Sequence, residues 1–178
     1  MDPNHPILQL TEGWQADVRA LSEALLVRRW TLAAAESCTG GLIAASCTAL
    51  PGSSQWFERG FVTYSNAAKV ELLGVGEALL QAHGAVSEPV ARAMAEGALN
   101  RSQAHLSLAV TGIAGPGGAV PGKPVGTVWL AWSRRASLGG TVFDTGAQRL
   151  QLPGDRAQVR ALAVQRALAQ ALALARSA

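Results

Sequence analysis

Apolar positions recur at helical spacing before residue 30 and then give way to short apolar runs, each ended by glycine, proline or hydroxyl residues. Val18, Leu21, Leu25 and Leu26 fall three or four residues apart or adjacent, which predicts a helix over residues 11–29. Residues 31–35 form an apolar run and predict a strand. A helix over 40–49 follows, stopped by Pro51-Gly52. Aromatic and β-branched residues predict a strand over 61–64, with Asn66 as the N-cap of a helix running to residue 73.

A short helix is expected over 76–83, and Ser87 is placed to cap a longer one ending at residue 100. Glu88 and Pro89 occupy the first turn of that helix, where an acid and a proline are both favoured. Residues 106–111 predict a strand that enters the loop Gly112-Ile113-Ala114-Gly115-Pro116-Gly117-Gly118. Residues 125–132 and 140–145 predict two strands, read as an antiparallel pair turned over 134–139. A long helix over 155–175 places Ala161, Val164, Leu168 and Leu172 on one face, with Arg156, Arg160 and Gln170 on others. This order predicts an α/β fold, a single-domain α/β sandwich whose mixed sheet carries helices on both faces. Residues 1–10, with two prolines, are expected to form a flexible arm ahead of one domain over 11–178.

Composition narrows the function classes. Hydrophobic residues make up 49% and charged ones 15%, so the chain can bury a core and is not expected to be disordered. The net charge of +3 is spread thinly, with only short pairs such as Arg28-Arg29 and Arg134-Arg135. Nucleic-acid binding draws on a clustered basic face, so nucleic acid is not an expected partner. No apolar run of membrane-spanning length and no signal-peptide pattern is present, which gives the expectation of a cytoplasmic protein with reduced thiols and no membrane association. Cys38, Cys47, His5, His83 and His105 match no common zinc spacing, so no metal is expected.

The chemistry concentrates in Glu36-Ser37-Cys38-Thr39-Gly40-Gly41, between a strand and a helix. Free N–H groups at a helix mouth favour negative charge. Ser37 there can be a nucleophile whose oxyanion those groups receive, or Ser37 or Thr39 can simply cap the helix. Cys38 is the rival nucleophile or a small space-filling residue. A serine nucleophile needs a base. No histidine has a site-like setting, whereas Lys69, one of two lysines, follows the sole tyrosine, Tyr64, by five residues. Lys69 is either a base with a depressed pKa or an ordinary solvated helix lysine. The 112–118 loop lacks the Gly-Lys-Ser/Thr of a Walker A motif, and a backbone-lined ligand seat is the remaining reading.

Taken together, residues 35–41, 51–75, 84–98, 111–118 and 123–131 closely resemble the CinA carboxy-terminal domain family, and 154–168 looks like its closing helix. The resemblance implies an α/β fold in the stand-alone amidase form, without the family's amino-terminal domain. It implies hydrolysis of nicotinamide mononucleotide to nicotinate mononucleotide and ammonia in pyridine-nucleotide salvage, without metal or cofactor. On the matching positions Ser37 would be the nucleophile, Lys69 its base or proton relay, and Tyr64 their neighbour. Thr39, Gly40 and Gly41 would surround the reacting amide, with Thr111 and Gly112 beneath the ligand; Glu36 and Asn66 are further candidate substrate contacts. Arg156 and Arg160, one helical turn apart, are candidates for the phosphate or members of a solvated basic face.

The sequence departs from the family where Gly117-Gly118-Ala119-Val120 replaces a common Gly-Gly-Gly-Thr, and where His105 replaces an Asp. The expected partners are a small nucleotide substrate and a second copy of the chain, with a dimer favoured. Two alternatives stand beside this reading. One is a nonenzymatic module in competence or the damage response, and the other is a serine–lysine amidase acting on a different small amide.

Overall fold

The computed structural model describes residues 14–135 and 143–177. Helix α1 spans Gln15–Arg28, strand β1 Leu32–Glu36, α2 Leu42–Thr48, β2 Phe57–Val62 and α3 Asn66–Leu73. Then come α4 Glu77–His83, α5 Glu88–Asn100, β3 Leu106–Gly112, β4 Thr127–Arg135, β5 Phe143–Gln151 and α6 Arg156–Ser177. The five strands form one sheet in the order β2-β1-β3-β4-β5. β2, β1 and β3 run parallel, and β4 and β5 are antiparallel to their neighbours. The expected α/β sandwich with a mixed sheet is what the chain forms. The arm expected over 1–10 lies outside the described residues.

The central strands are buried on both faces, so they read as continuous apolar runs rather than alternations. Alternation survives in size. Leu32, Ala34, Leu106, Leu108 and Val110 pack toward α1, α2 and α6. The smaller Ala33, Ala35 and Ala109 face α5, together with Ala131 from β4. These short side chains let α5 lie close to the sheet, and Ser107 Oγ donates to the Ala95 carbonyl of α5 at 2.7 Å. Each fully buried Leu adds roughly 1.5–3 kcal/mol relative to exposure, so Leu21, Leu25, Leu106, Leu108 and Leu168 anchor the other face.

Several boundaries differ from those the pattern predicts. β2 begins at Phe57 and stops before Thr63-Tyr64. It is an edge strand with half-exposed positions, so Glu58, Arg59 and Gly60 can belong to it without being apolar. Ser65, not Asn66, caps α3: its side chain accepts the Ala68 N–H. Ser87 holds the N-cap position of α5 but makes no side-chain cap bond, and its hydroxyl donates to the Gly84 carbonyl instead. β4 continues through Arg135, and β5 runs on to Gln151 as a polar edge strand. Trp132 lies over Gly146, its partner across that strand pair. Part of the turn expected over 134–139 lies outside the described residues. On α6 the buried seam is Val159, Ala163, Val164, Ala167, Leu168, Ala171 and Ala175. Ala161 and Leu172 are only partly buried and sit at its margin.

Candidate active site

The carboxyl ends of the three parallel strands open onto one cavity of about 200 Å³. Ligands in open α/β sheets bind at this edge. Ser37 and Cys38 reach it from the end of β1, Tyr64 from beyond β2, and Thr111 from β3. Lys69 of α3 and Arg156 of α6 complete the principal lining, with Asn66 and Gly112 beside them.

The turn after β1 is fixed from several sides. The Ser37 N–H donates to the Val110 carbonyl at 2.9 Å, and the Thr63 N–H donates to the Glu36 carbonyl at 2.8 Å. Gly40 and Gly41 have φ of 59° and 92°, a region that side-chain-bearing residues avoid. The turn can therefore reverse direction within two residues. Glu36 is fully buried. Its carboxylate accepts the N–H groups of Gly41 at 3.1 Å, Ile43 at 3.0 Å and Ala44 at 2.9 Å. The first donors of α2 are thus already occupied, and the charge favoured at that helix end is supplied from within. Glu36 does not line the cavity.

Ser37 and Lys69 meet inside the cavity. Lys69 Nζ donates to Ser37 Oγ at 3.0 Å and to the Thr63 carbonyl at 2.7 Å. The lysine is only 1% exposed. Among the described residues no carboxylate lies within ion-pair distance of it. Burial penalises the ammonium and lowers its pKa below the ordinary lysine value. A neutral Lys69 would give one N–H to Thr63 and turn its lone pair to the Ser37 hydroxyl, which is the relation of base to nucleophile. Cys38, next in sequence, is the reverse case. Burial pushes its thiol up to about 12, so it stays protonated near neutral pH. Burial likewise raises the pKa of Cys47.

Tyr64 and Arg156 stand at the rim. Arg156 Nη2 donates to the Tyr64 hydroxyl at 2.7 Å, and Nη1 donates to the Gly115 carbonyl at 2.9 Å. Both side chains are otherwise exposed, leaving a cation and a phenol facing solvent over the dyad. Thr111 is buried and donates to the Ala85 carbonyl at 2.9 Å. Gly112 packs too tightly against β4 to carry a side chain, since a Cβ there would lie 2.7 Å from Val128 Cγ2 and 2.9 Å from the Thr127 carbonyl oxygen. Arg160 does not line the cavity; its Nη2 donates to the Thr39 carbonyl at 2.9 Å. Among the described residues no cluster of three His, Cys, Asp or Glu side chains could hold a metal ion. No helix among them is long and apolar enough to cross a membrane.

Sequence reasoning did not single out Thr63, whose carbonyl orients Lys69, or Ala85, Val86 and Ala114 in the cavity wall. Thr63 acts through its backbone, so no side-chain pattern signals it.

A model of the CinA C-terminal domain matches residues 15–175. The chain belongs to the CinA C-terminal domain family. A CinA-like protein from Akkermansia muciniphila is 56% identical over 137 residues, covering 77% of this chain and 32% of that protein. The nicotinamide-nucleotide amidohydrolase PncC of Enterobacter agglomerans is 51% identical over 140 residues, covering 79% of this chain and 82% of that protein. Several of these relatives are longer proteins, of which the chain spans about a third. A CinA superfamily protein from Klebsiella pneumoniae superposes with a TM-score of 0.84 at 36% identity, covering 91% of this chain and 97% of that one. The competence/damage inducible protein from Agrobacterium tumefaciens gives 0.81 at 41% identity, covering 96% of each chain. The family membership and the α/β architecture inferred from the sequence agree with these comparisons.

Proposed function

We propose that this chain is a nicotinamide-nucleotide amidohydrolase, converting nicotinamide mononucleotide and water to nicotinate mononucleotide and ammonia. The observation that carries the reading is the buried contact between Lys69 Nζ and Ser37 Oγ at 3.0 Å. The activity named for the Enterobacter agglomerans relative supplies the substrate. Ser37 Oγ attacks the carboxamide carbon while its proton passes to neutral Lys69. The tetrahedral adduct collapses, the C–N bond breaks, and Lys69 returns the proton to the leaving nitrogen, which departs as ammonia. Water then attacks the Ser37 ester, giving a proton to Lys69. The C–Oγ bond breaks, and Ser37 recovers its proton as nicotinate mononucleotide leaves.

Arg156, held by Tyr64 and Gly115 at the rim, is the cation placed to receive the substrate phosphate. Asn66, Thr111 and Gly112 are the neighbouring substrate contacts in this reading. The test is incubation of the protein with nicotinamide mononucleotide, with ammonia and nicotinate mononucleotide measured in parallel. Equimolar release of both, abolished by Ser37→Ala, is the expected result. Absence of release from the wild-type protein would remove this substrate. Release undiminished in Ser37→Ala would remove the mechanism.

A further inference from the structure

Arg160 carries a feature the proposed reaction does not use. Its guanidinium reaches from the first turns of α6 to the Thr39 carbonyl, at the middle of the turn that bears Ser37. The side chain is half-buried, and its Nε is buried without a hydrogen-bond partner. Thr39 Oγ1 is buried and unpartnered on the same turn. Desolvating a cation and leaving a donor unpaired both oppose folding, so the contact is not a solvated arginine settling on a nearby carbonyl. Gly40 lies against it: a Cβ there would sit at ordinary contact distance, 3.6 Å from Arg160 Nη2, and the glycine serves the turn through its backbone at φ 59°. Val159, Ala163 and Val164, buried against the sheet, fix the stretch of α6 from which Arg160 projects. Arg156, one turn earlier on the same helix, stands at the rim of the cavity.

We infer that Arg160 is a positioning residue for Ser37, holding the 37–41 turn through the Thr39 carbonyl while α6 presents Arg156 to the substrate. Glu36 fixes one end of that turn through Gly41, and the Val110 carbonyl fixes the other through the Ser37 N–H. Arg160 restrains the middle, which otherwise has only the 3.4 Å contact from the Leu42 N–H to Thr39 and the local Gly40–Ser37 bond. Losing it would let Ser37 Oγ move away from Lys69 without altering any residue that touches substrate. The inference rests on the proposed serine–lysine mechanism.

The test compares wild-type protein with Arg160→Gln, which is too short to span from α6, and Arg160→Lys, which restores one donor. Arg160→Met keeps the stem's packing without a donor and serves if Arg160→Gln does not fold. Two readouts are taken: steady-state hydrolysis of nicotinamide mononucleotide, and the rate at which a fluorophosphonate labels Ser37. The expected result is a tenfold to hundredfold fall in kcat and in labelling rate for Arg160→Gln, with KM within about twofold. Arg160→Lys should recover much of both. A rise in KM with kcat kept would make Arg160 a substrate contact and overturn the inference, as would unchanged kcat and labelling. If wild-type protein is labelled at Ser37 but releases no ammonia, the substrate assignment fails while the labelling rates still decide Arg160. If neither occurs, there is no activated serine to position and the inference fails with the mechanism.

Discussion

Lys69 Nζ donates to the Thr63 carbonyl at 2.7 Å, a shorter contact than the 3.0 Å one it makes with Ser37. A carbonyl cannot supply the counter-charge a buried ammonium needs, but it orients a neutral amine well. The lowered pKa of Lys69, caused chiefly by burial, follows from this setting. Hydrolysis should rise with pH as Lys69 deprotonates, with a midpoint below the usual lysine value of about 10.4. Lys69→Ala should lower kcat at least about a hundredfold. Lys69→Arg should not restore it, because a guanidinium does not give up its proton near neutral pH. A flat pH–rate profile or full activity in Lys69→Arg would remove the lysine from the mechanism.

The same shift has a consequence for stability. The folded-state pKa is below the unfolded one, so between the two values the unfolded chain binds more protons at this position. Stability at this site rises with pH through that window. Below it, burial of the ammonium is a full penalty. Lys69→Met should therefore raise the thermal midpoint at neutral and mildly acidic pH, and lose that advantage above about pH 10.4, while hydrolysis is lost. Melting curves at several pH values check this, and a variant less stable than wild type at pH 6 would contradict it.

Ser37 and Cys38 separate cleanly by their surroundings. The thiol is buried and raised to about 12, while the hydroxyl faces the lysine amine. Ser37→Ala should reduce hydrolysis at least roughly a thousandfold, as expected when a nucleophile is removed. Cys38→Ala should keep most of the activity, and iodoacetamide should label the folded protein slowly at Cys38. Loss of activity in Cys38→Ala with retention in Ser37→Ala would reverse the roles.

Glu36 binds three amides of the turn and α2 from a fully buried position. Glu36→Ala would leave those donors without an acceptor and should cost about 3 kcal/mol or more in denaturant unfolding. Glu36→Gln keeps one amide oxygen as an acceptor and should cost less. If Glu36 touches substrate instead, Glu36→Gln will raise KM with little change in the denaturation midpoint.

Much of this was readable from residue order. β1, β3 and the start of α5 follow from apolar runs and from Glu88-Pro89, because local chemistry decides them. Ser37 and Lys69 were each legible as candidates, one by its glycine-rich helix mouth and the other by following the sole tyrosine. Their pairing was implied by the family resemblance and not by spacing, since the contact joins positions 32 apart through the sheet edge. The extents of β2 and β5 were hidden because edge strands carry polar residues such as Glu58, Arg59 and Gln148. Arg156 and Arg160 were inseparable by spacing, whereas the fold sends one to the rim and the other to the Thr39 carbonyl. Which carbonyl a long cation reaches is a tertiary property, and residue spacing does not encode it.

Gly97 shows how helix packing reaches the dyad. It lies buried in α5, and a Cβ placed on it would run into the Leu73 carbonyl at the end of α3. The obstacle is backbone, so no side-chain rotation can relieve it, and α3 as a whole would have to shift. Lys69 sits on that helix one turn before Leu73, with its Nζ held between Thr63 and Ser37. Gly97→Ala gains helix propensity of up to about 1 kcal/mol, but overpacking against backbone should cost about 1–3 kcal/mol or more. The net expected result is a lower denaturation midpoint. A fall in kcat should accompany it, because displacing Lys69 by about 1 Å weakens its alignment with Ser37. Arg156 is carried by α6 and should be unaffected, so KM should change little. Activity per folded molecule equal to that of wild type would show that α3 accommodates the methyl group without moving Lys69, and that the α3–α5 contact does not set the dyad.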